Sequence, residues 1–255
     1  MRIATWNVNS LNARLPRVEE WLEYAAPDVL CMQETKVAEA SFPTMALSAL
    51  GYESASHGDG RWNGVAIVSR VGLDDVARGF EPGVDEQGCR IMAATCGGVR
   101  VHSVYVPNGR VVGSEHYLAK LAWLDELRSH LERSASPSER VAVCGDFNIA
   151  PDDRDIYDRQ ALEGSTHITE PERKALAAIE DWGLVDGFRL LHDEDELFTW
   201  WDYRAGNFHK HLGMRIDLIL LSRSLAETAS FALVDRNARK GKQPSDHAPV
   251  LIDVA

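Results

Sequence analysis

The sequence predicts an α/β domain in which two mixed β-sheets pack together and helices cover their outer faces. Short apolar runs rich in β-branched residues recur along the 255 residues and end abruptly in polar residues, as is typical of strands buried on both faces. Amphipathic helical patterns separate some of these runs. Other runs follow one another directly, which argues against a simple doubly wound sheet. We expect a single domain spanning residues 1–255.

Seven runs have the length and composition of buried strands. The first six give way to polar residues that fall outside the apolar pattern, and polar residues next to the predicted strands are the candidates for catalysis. In chain order the predicted strands are Ile3–Trp6, Val29–Met32, Val65–Val68, Val99–Val106, Val141–Cys144, Ile216–Leu221 and Pro249–Val254.

Three segments repeat apolar residues at the spacing of one helix face. The first follows Pro16, a residue tolerated in a first helical turn, and ends before Pro27. The second follows Ser114. The third opens with the capping box Thr169-Glu170-Pro171-Glu172 and stops at Gly183. Their apolar positions are Leu15, Val18, Leu22 and Ala25, then Tyr117, Leu121, Leu124, Leu127 and Leu131, then Leu176, Ile179 and Trp182.

The chain carries net negative charge. It has 27 basic and 39 acidic side chains, a formal charge of −12. This balance argues against a protein that binds nucleic acid through bulk positive charge. It leaves open the local binding of a polyanion through metal ions and a few arginines.

The sequence lacks signals for a membrane or an oxidising compartment. No run approaches the ~20 apolar residues that span a bilayer, and the N-terminal residues lack the apolar core of a signal peptide. No two of the four cysteines form a CxxC pair. We expect buried, reduced thiols in a cytoplasmic protein. The cysteines are Cys31, Cys89, Cys96 and Cys144.

Several polar residues at strand ends are candidates for catalysis. Asp146 and Asn148 follow the fifth predicted strand, and Gly145 permits a sharp turn or close approach of a ligand. Because alternate residues of extended chain face the same side, the carboxylate and the carboxamide should point into one pocket. Glu34 and Asn7 end two other strands. Taken singly, each residue is also explained by a capping turn or a surface position.

Three further residues near the C-terminal end are harder to place at the surface. Asp217 heads an apolar strand, where a carboxylate must be paired, metal-bound or neutral. An ion pair with Arg215 is the structural alternative. Asp246 and His247 precede the last strand and supply a carboxylate and an imidazole that titrates near neutral pH. A loop cap with an exposed histidine is the alternative there.

Together these residues form a set of oxygen ligands and proton carriers. Without the spacing of a zinc site, the set favours a hard cation, Mg²⁺ or Mn²⁺. Such a cation suits phosphodiester cleavage, whereas the absence of a glycine-rich phosphate loop disfavours hydrolysis of nucleoside triphosphates. The set consists of Asn7, Glu34, Asp146, Asn148, Asp217, Asp246 and His247.

Eight short segments, in order along nearly the whole chain, carry a family resemblance. They are Trp6-Asn7, Gln33-Glu34-Thr35-Lys36, Asn63-Gly64-Val65-Ala66, Tyr105-Val106-Pro107-Asn108, Gly145-Asp146-Phe147-Asn148, Trp201-Asp202-Tyr203-Arg204, Arg215-Ile216-Asp217 and Ser245-Asp246-His247-Ala248-Pro249. The chain resembles exonuclease III, a family of bacterial apurinic/apyrimidinic (AP) endonucleases within the endonuclease/exonuclease/phosphatase superfamily. The resemblance implies a four-layer α/β sandwich and a monomer.

The resemblance also implies a role for each matching residue. Asp146 would orient or deprotonate the attacking water, and Asn148 would hold the water or a phosphate oxygen. His247, oriented by Asp217, would hydrogen-bond a phosphate oxygen, and Tyr105 would contact the phosphate. The implied ligands of Mg²⁺ (or Mn²⁺) are Asn7, Glu34, Asp146, Asn148 and Asp246, with Glu34 the principal one.

A further group of residues would contact DNA. Arg90 and Asn108 would touch backbone phosphates, and a wall of Trp200, Met214 and Ile216 would accept a base-free sugar flipped out of the duplex. The implied DNA-binding residues are Arg90, Asn108, Trp200, Met214, Arg215 and Ile216. The resemblance does not decide lesion selectivity at Met214 or whether Arg110 enters the DNA. The acidic tract Asp152–Asp155 is typical of a solvated loop facing away from DNA.

The implied function is Mg²⁺-dependent cleavage of duplex DNA 5′ of abasic sites in DNA repair. Exonuclease activity from 3′ to 5′ and 3′-phosphatase or 3′-phosphodiesterase activity at damaged 3′ ends would accompany it. One alternative is a phosphatase or phospholipase of the same superfamily, of the phosphoinositide or sphingomyelin type. Another is a catalytically silent DNA-binding protein.

Overall fold

The computed structural model describes residues 1–81 and 88–255. In that part of the chain twelve strands alternate with six α-helices. The strands are β1 (Arg2–Asn7), β2 (Val29–Gln33), β3 (Glu53–His57), β4 (Val65–Ser69), β5 (Asp74–Arg78), β6 (Ile91–Cys96), β7 (Val99–Tyr105), β8 (Val141–Asp146), β9 (Leu184–Asp186), β10 (Asp217–Ser222), β11 (Phe231–Val234) and β12 (Val250–Asp253). The helices are α1 (Leu11–Ala25), α2 (Thr44–Ala49), α3 (Glu115–Ser134), α4 (Glu170–Asp181), α5 (Asn207–Lys210) and α6 (Arg223–Ala226).

The strands form two six-stranded sheets. The first has the order β11-β12-β1-β2-β4-β3, and the second has the order β5-β6-β7-β8-β10-β9. Within each sheet one pair of neighbours is parallel, β1 with β2 and β7 with β8, and the other pairs are antiparallel. The prediction of two mixed sheets is therefore confirmed.

Three apolar layers hold the sheets and helices together. Between the sheets, side chains such as Cys31 of β2 and Cys144 of β8 are fully buried. On the outer face of the first sheet, Met32 packs with α1. On the outer face of the second sheet, α3 and α4 pack through Leu127 and Leu176. Helices, two sheets and helices thus make the four layers that the resemblance implied.

All seven predicted strands and all three predicted helices are present, but their bounds differ in places. The capping box of α4 forms between Thr169 and Glu172. Helix α1 begins at Leu11, so Pro16 lies inside it and not in its first turn. Five strands were not predicted. Four of them, β3, β5, β9 and β11, lie at sheet edges, where half-exposed residues weaken the apolar pattern.

The structure also bears on the expectations for the cysteines and for membrane-spanning segments. All four cysteines are buried, as expected. Across residues 1–81 and 88–255, every helix is too short or too polar to span a lipid bilayer.

The direction of the strands brings the polar strand ends together. Because β1 and β2 are parallel, Asn7 and Glu34 lie at the same edge of the first sheet. In the second sheet, parallel β7 and β8 place Tyr105 opposite Asp146, and antiparallel β10 places its first residue, Asp217, on the other side of Asp146. Strands β1 and β8 pack across the interface between the sheets, so the two edges meet.

Gly145 lets strands β7 and β8 approach each other closely in the centre of the second sheet. A Cβ atom at this position would overlap the carbonyl oxygen of Val104 on β7, so an alanine here requires the backbone to move. We expect Gly145→Ala to lower the free energy of unfolding by about 3 kcal/mol or more. Urea denaturation of the purified variant measures this loss.

Gly98 gives a matched control. It lies in the turn between β6 and β7 with a φ of +78°, and no heavy atom lies within 4 Å of the place that an added methyl group would take. Gly98→Ala should therefore cost only the backbone strain, roughly 1 kcal/mol. Equal losses in the two variants would contradict the steric account of Gly145.

Candidate active site

The carboxamide of Asn7 joins two carboxylates that come from different sheets. Its Nδ2 donates to Glu34 Oε1 at 2.8 Å and to Asp146 Oδ2 at 2.9 Å. Its Oδ1 accepts the Asn9 N–H at 2.9 Å, which fixes the orientation of the amide. Because Asn7 is fully buried, this donor holds the two carboxylates close together inside the protein.

A second layer of contacts surrounds Glu34. Lys36 Nζ lies 2.9 Å from Glu34 Oε2 and donates to Asn9 Oδ1 at 2.7 Å. Asn9 in turn donates from Nδ2 to Asp246 Oδ1 at 3.0 Å. The other oxygen of Asp246 accepts the indole N–H of Trp200 at 3.0 Å. Asp246 is therefore part of the site, and Asn9 links it to Glu34 through both Lys36 and Asn7.

His247 is held by Asp217 and faces Asp146. Its Nδ1 donates to Asp217 Oδ2 at 2.8 Å, and its Nε2 lies 3.8 Å from Asp146 Oδ2. Burial alone would lower the pKa of His247, but the charge and hydrogen bond of Asp217 raise it to about 10. The imidazole is therefore protonated at neutral pH. The alternative ion pair between Arg215 and Asp217 is wrong, because Asp217 pairs with His247.

Neighbouring backbone and hydroxyl groups fix both partners of this pair. Thr199 Oγ1 accepts the Asp217 N–H at 3.1 Å. On the other side, Ser245 Oγ donates to the Asn7 carbonyl at 2.7 Å and accepts the His247 N–H at 3.2 Å. The loop before β12 is thereby anchored to the end of β1.

The pKa of Asp146 suits a proton acceptor near neutral pH. Full burial raises its pKa to about 7, although the His247 cation works in the opposite direction. The ring of Tyr105 lies 4.5 Å from the Arg90 guanidinium. The ionisation of Tyr105 differs from that of Asp146. Burial and the charges of Glu34 and Asp146 raise the pKa of Tyr105 well above its ordinary value, so its hydroxyl remains a donor.

Asn148 occupies a turn and not a continuation of β8. Its φ is +51°, and its N–H donates to Asp146 Oδ1 at 2.9 Å. The extended chain expected beyond Asp146 is therefore wrong, yet the turn still places both side chains in one site. Asn148 Nδ2 donates to the Val106 carbonyl at 3.0 Å, while its Oδ1 accepts from Asn108 at 3.2 Å and from His167 at 3.1 Å.

Several residues of the site adopt a left-handed backbone conformation. Non-glycine residues adopt a positive φ only with strain of roughly 1 kcal/mol or more each, and such strain often accompanies function. Five of the residues with positive φ lie within the contacts described above: Asn9, Glu34, Lys36, Asn148 and His167.

An apolar wall stands next to these polar groups. Trp200 and Met214 are joined by backbone hydrogen bonds of 2.9 and 3.0 Å, and both line a cavity of about 400 Å³ together with His167 and Arg110. Ile216 is buried behind them in the same apolar cluster. The structure thus brings Trp200 and Met214 to the cavity, whereas Ile216 supports the wall from within.

Arg215 does not reach this cavity. Its side chain is 1% exposed, and its guanidinium contacts Asp155 at 2.6 Å and Asp186 at 2.7 Å. These contacts occupy the donors that a DNA phosphate would need. Arg215 is therefore not available for the DNA contact that the resemblance implied. Asp155 is fully buried in the same pair, and the interpretation of its tract as a solvated loop is wrong at that residue.

The donor set fits a hard divalent cation. Glu34, Asp146 and His247 each offer one ligand atom, and these atoms lie within 4.8 Å of one another. Since the imidazole is protonated, Glu34 and Asp146 are the two that could hold a cation, as oxygen ligands. Asn7 turns its amide nitrogen towards both carboxylates, and Asn148 Oδ1 accepts two other donors, so neither presents a free oxygen in this geometry.

Sequence reasoning missed four residues of the site. Lys36 lies inside one of the eight family segments, and Asn9 follows Asn7 by two residues, so spacing could have suggested both. His167 and Lys120 had no such signal, because each lies outside the eight family segments. Lys120 Nζ donates to the Asn148 carbonyl at 2.7 Å.

Known proteins match this chain over nearly its whole length. Residues 4–247 match the family model described as the endonuclease/exonuclease/phosphatase family. The chain is similar to an exodeoxyribonuclease III from Haemophilus influenzae, with 33% identity over 98% of each chain.

Solved structures share both the fold and the length. An AP endonuclease from Archaeoglobus fulgidus superposes with a TM-score of 0.96 at 36% identity, covering 100% of this chain and 99% of that one. A 3′-5′ exonuclease (NExo) from Neisseria meningitidis gives 0.94 at 39% identity with the same coverage. A 3′ phosphatase NExo from Neisseria, bound to a product DNA hairpin, gives 0.95 at 39% identity, again over 100% and 99% of the two chains.

The dependence of His247 on Asp217 can be measured directly. In Asp217→Asn the charge that raises the His247 pKa is removed while burial remains. We expect the pKa of His247 to fall from about 10 to its ordinary range or below. Titration of the imidazole C–H signals by NMR measures the shift. Asp246→Asn is the control and should change this pKa far less, and an equal shift in both variants would contradict the assignment.

Proposed function

Because the chain belongs to the exonuclease III branch of the endonuclease/exonuclease/phosphatase family, we propose that it is a metal-dependent DNA-repair nuclease. It hydrolyses the phosphodiester 5′ of abasic sites in duplex DNA, and it removes nucleotides and phosphate groups from 3′ ends. The enzyme works as a monomer with Mg²⁺ or Mn²⁺.

One arrangement carries this proposal. Asn7 joins Glu34 to Asp146, and a protonated His247 stands 3.8 Å from the same Asp146 oxygen. The site therefore combines two carboxylates that can hold a cation, a base that titrates near neutral pH (Asp146) and a fixed positive charge (His247). These are the groups that hydrolysis of a phosphodiester requires.

The reaction follows from the protonation states of these residues. Asp146 accepts a proton from water as the water oxygen bonds to phosphorus and the P–O3′ bond breaks, and the leaving O3′ atom takes up a proton from solvent. His247 and the Tyr105 hydroxyl donate hydrogen bonds to the phosphate oxygens, where negative charge develops. When bound, the cation supplies Lewis-acid polarisation of the phosphoryl group and neutralises charge on the leaving oxygen.

Tyr105 is unsuited to the role of base. Its pKa is raised by burial and by two neighbouring carboxylates, so loss of its proton is unfavourable at physiological pH. Asp146, with a pKa of about 7, is deprotonated at little cost there. We therefore assign the proton of the water to Asp146.

The apolar wall supports selection of base-free or terminal sugars. Trp200 and Met214 line a cavity of about 400 Å³, and a lesion without its base costs the least to extrude from the duplex. Internal abasic sites and damaged 3′ ends present a similar phosphoester beside a displaced sugar. One pocket can thus serve both reactions, in line with relatives described as an AP endonuclease and as a 3′ phosphatase.

Activity should depend on the cation and on two carboxylates. We expect cleavage of a duplex with one internal abasic analogue, and release of phosphate from a duplex 3′-phosphate end, both abolished by EDTA and restored by Mg²⁺ or Mn²⁺. Glu34→Ala and Asp146→Asn should each lower kcat by about 10²–10⁴-fold. Gel analysis of the labelled strand and phosphate release measure the two reactions.

Glu20→Gln on α1 is the control, since that carboxylate is 69% exposed and should leave the rate unchanged. Hydrolysis of a phosphoinositide or sphingomyelin but not of DNA would instead support a phosphatase or phospholipase. Binding of the duplex without any hydrolysis would indicate a silent DNA-binding protein.

The pH profile should report the two ionisations at the site. Activity needs Asp146 ionised, so kcat/KM should rise as the pH passes about 7, and it needs His247 protonated, so kcat/KM should fall as the pH approaches about 10. These apparent values belong to the coupled pair. In His247→Asn the alkaline limb should disappear, whereas an unchanged limb would remove His247 from this role.

A further inference from the structure

A buried ammonium group lies directly beneath the catalytic turn. Lys120 of α3 is 0% exposed, and its Nζ donates to the carbonyl oxygen of Asn148 at 2.7 Å. Asn148 follows Asp146 by two residues, and its N–H is hydrogen-bonded to that carboxylate. The peptide groups on the two sides of Asn148 are therefore held by Asp146 and by Lys120.

Glu172 in the first turn of α4 is the counterion. It is also 0% exposed and forms an ion pair with Lys120. Oε1 further accepts Thr166 Oγ1 at 2.7 Å and the His167 N–H at 2.9 Å. Oε2 accepts the Thr169 N–H at 3.0 Å and its hydroxyl at 2.6 Å. Both oxygens are saturated, so the carboxylate has one position.

This pair reaches Asn148 by two routes. Lys120 holds its backbone carbonyl, and Glu172 holds the backbone N–H of His167, whose ring donates to Asn148 Oδ1 at 3.1 Å. Burial lowers the pKa of His167 to about 4, so the ring is neutral at physiological pH. The backbone and the side chain of Asn148 are thus both fixed from the same ion pair.

Stability alone is a poor explanation for such a pair. Moving two charges out of water costs more than their attraction returns in many proteins, and apolar residues of similar volume are often as stabilising. The contacts here instead converge on one residue of the candidate active site. We propose that the buried Lys120–Glu172 ion pair is a positioning element for catalysis, which fixes Asn148 in the left-handed conformation from which its N–H holds the Asp146 carboxylate.

The test compares activity with stability in three variants. Lys120→Met and Glu172→Gln each leave one buried charge without a partner and should lower Tm. The paired variant Lys120→Met/Glu172→Gln removes both charges and keeps a glutamine at a capping-box position that tolerates it, so its Tm should recover towards that of the parent. Its kcat on duplex DNA with an internal abasic analogue should stay about 100-fold low, with little change in KM.

A double-mutant cycle with Asp146 separates positioning from a general structural effect. If Lys120 acts through the Asn148 backbone on the Asp146 carboxylate, Lys120→Met should lower kcat in the parent but hardly at all in Asp146→Asn. The same fold loss in both backgrounds would overturn the proposal. Recovery of kcat together with Tm in the paired variant would overturn it as well, and so would failure of both Lys120 variants to fold, since the pair would then serve the fold.

A surface ion pair on α4 provides the control. Lys174 lies 2.7 Å from Glu170, and the two side chains are 75% and 77% exposed, so Lys174→Met should leave kcat and Tm unchanged. The positioning role rests on the nuclease activity proposed above. An inactive parent would overturn that activity, whereas an active parent with full kcat in Lys120→Met would overturn only the positioning role.

Discussion

One carboxamide nitrogen determines the arrangement of the whole site. Asn7 Nδ2 contacts Glu34, from its own sheet, and Asp146, from the opposite sheet, so a single buried donor spans the interface between the two sheets. Two carboxylates this close repel each other unless a donor or a cation lies between them. The packing of β1 on β8 is thus coupled to the electrostatics of the site, and a change in either one changes the other.

Charges of alternating sign extend outwards from that donor. Asp217 holds His247, His247 faces Asp146, and beyond Glu34 the chain of contacts continues to Lys36. This order explains how a protein with a formal charge of −12 can act on a polyanion. The positive groups are few, but they are buried or half-buried in the candidate active site, where screening by water is weakest.

The sequence located candidate site residues where polar side chains follow the end of an apolar strand. Apolar runs located Asp146 and Glu34, because each carboxylate interrupts the apolar pattern where its strand ends. Partners of buried charges were not predictable in this way. Arg215 sits two residues from Asp217, yet it pairs with Asp155 and Asp186, since side chains in a strand and its preceding loop point in directions that spacing alone does not give. Lys120 and His167 meet Asn148 only through tertiary packing.

The left-handed residues at the site set a limit on protein engineering. Asn9, Glu34 and Asn148 each hold a conformation that glycine adopts freely, so glycine at these positions would relieve strain in the folded chain. A campaign of directed evolution scored on heat resistance alone would therefore tend to discard side chains of the candidate active site. Thermal screens of this enzyme need a parallel selection for turnover.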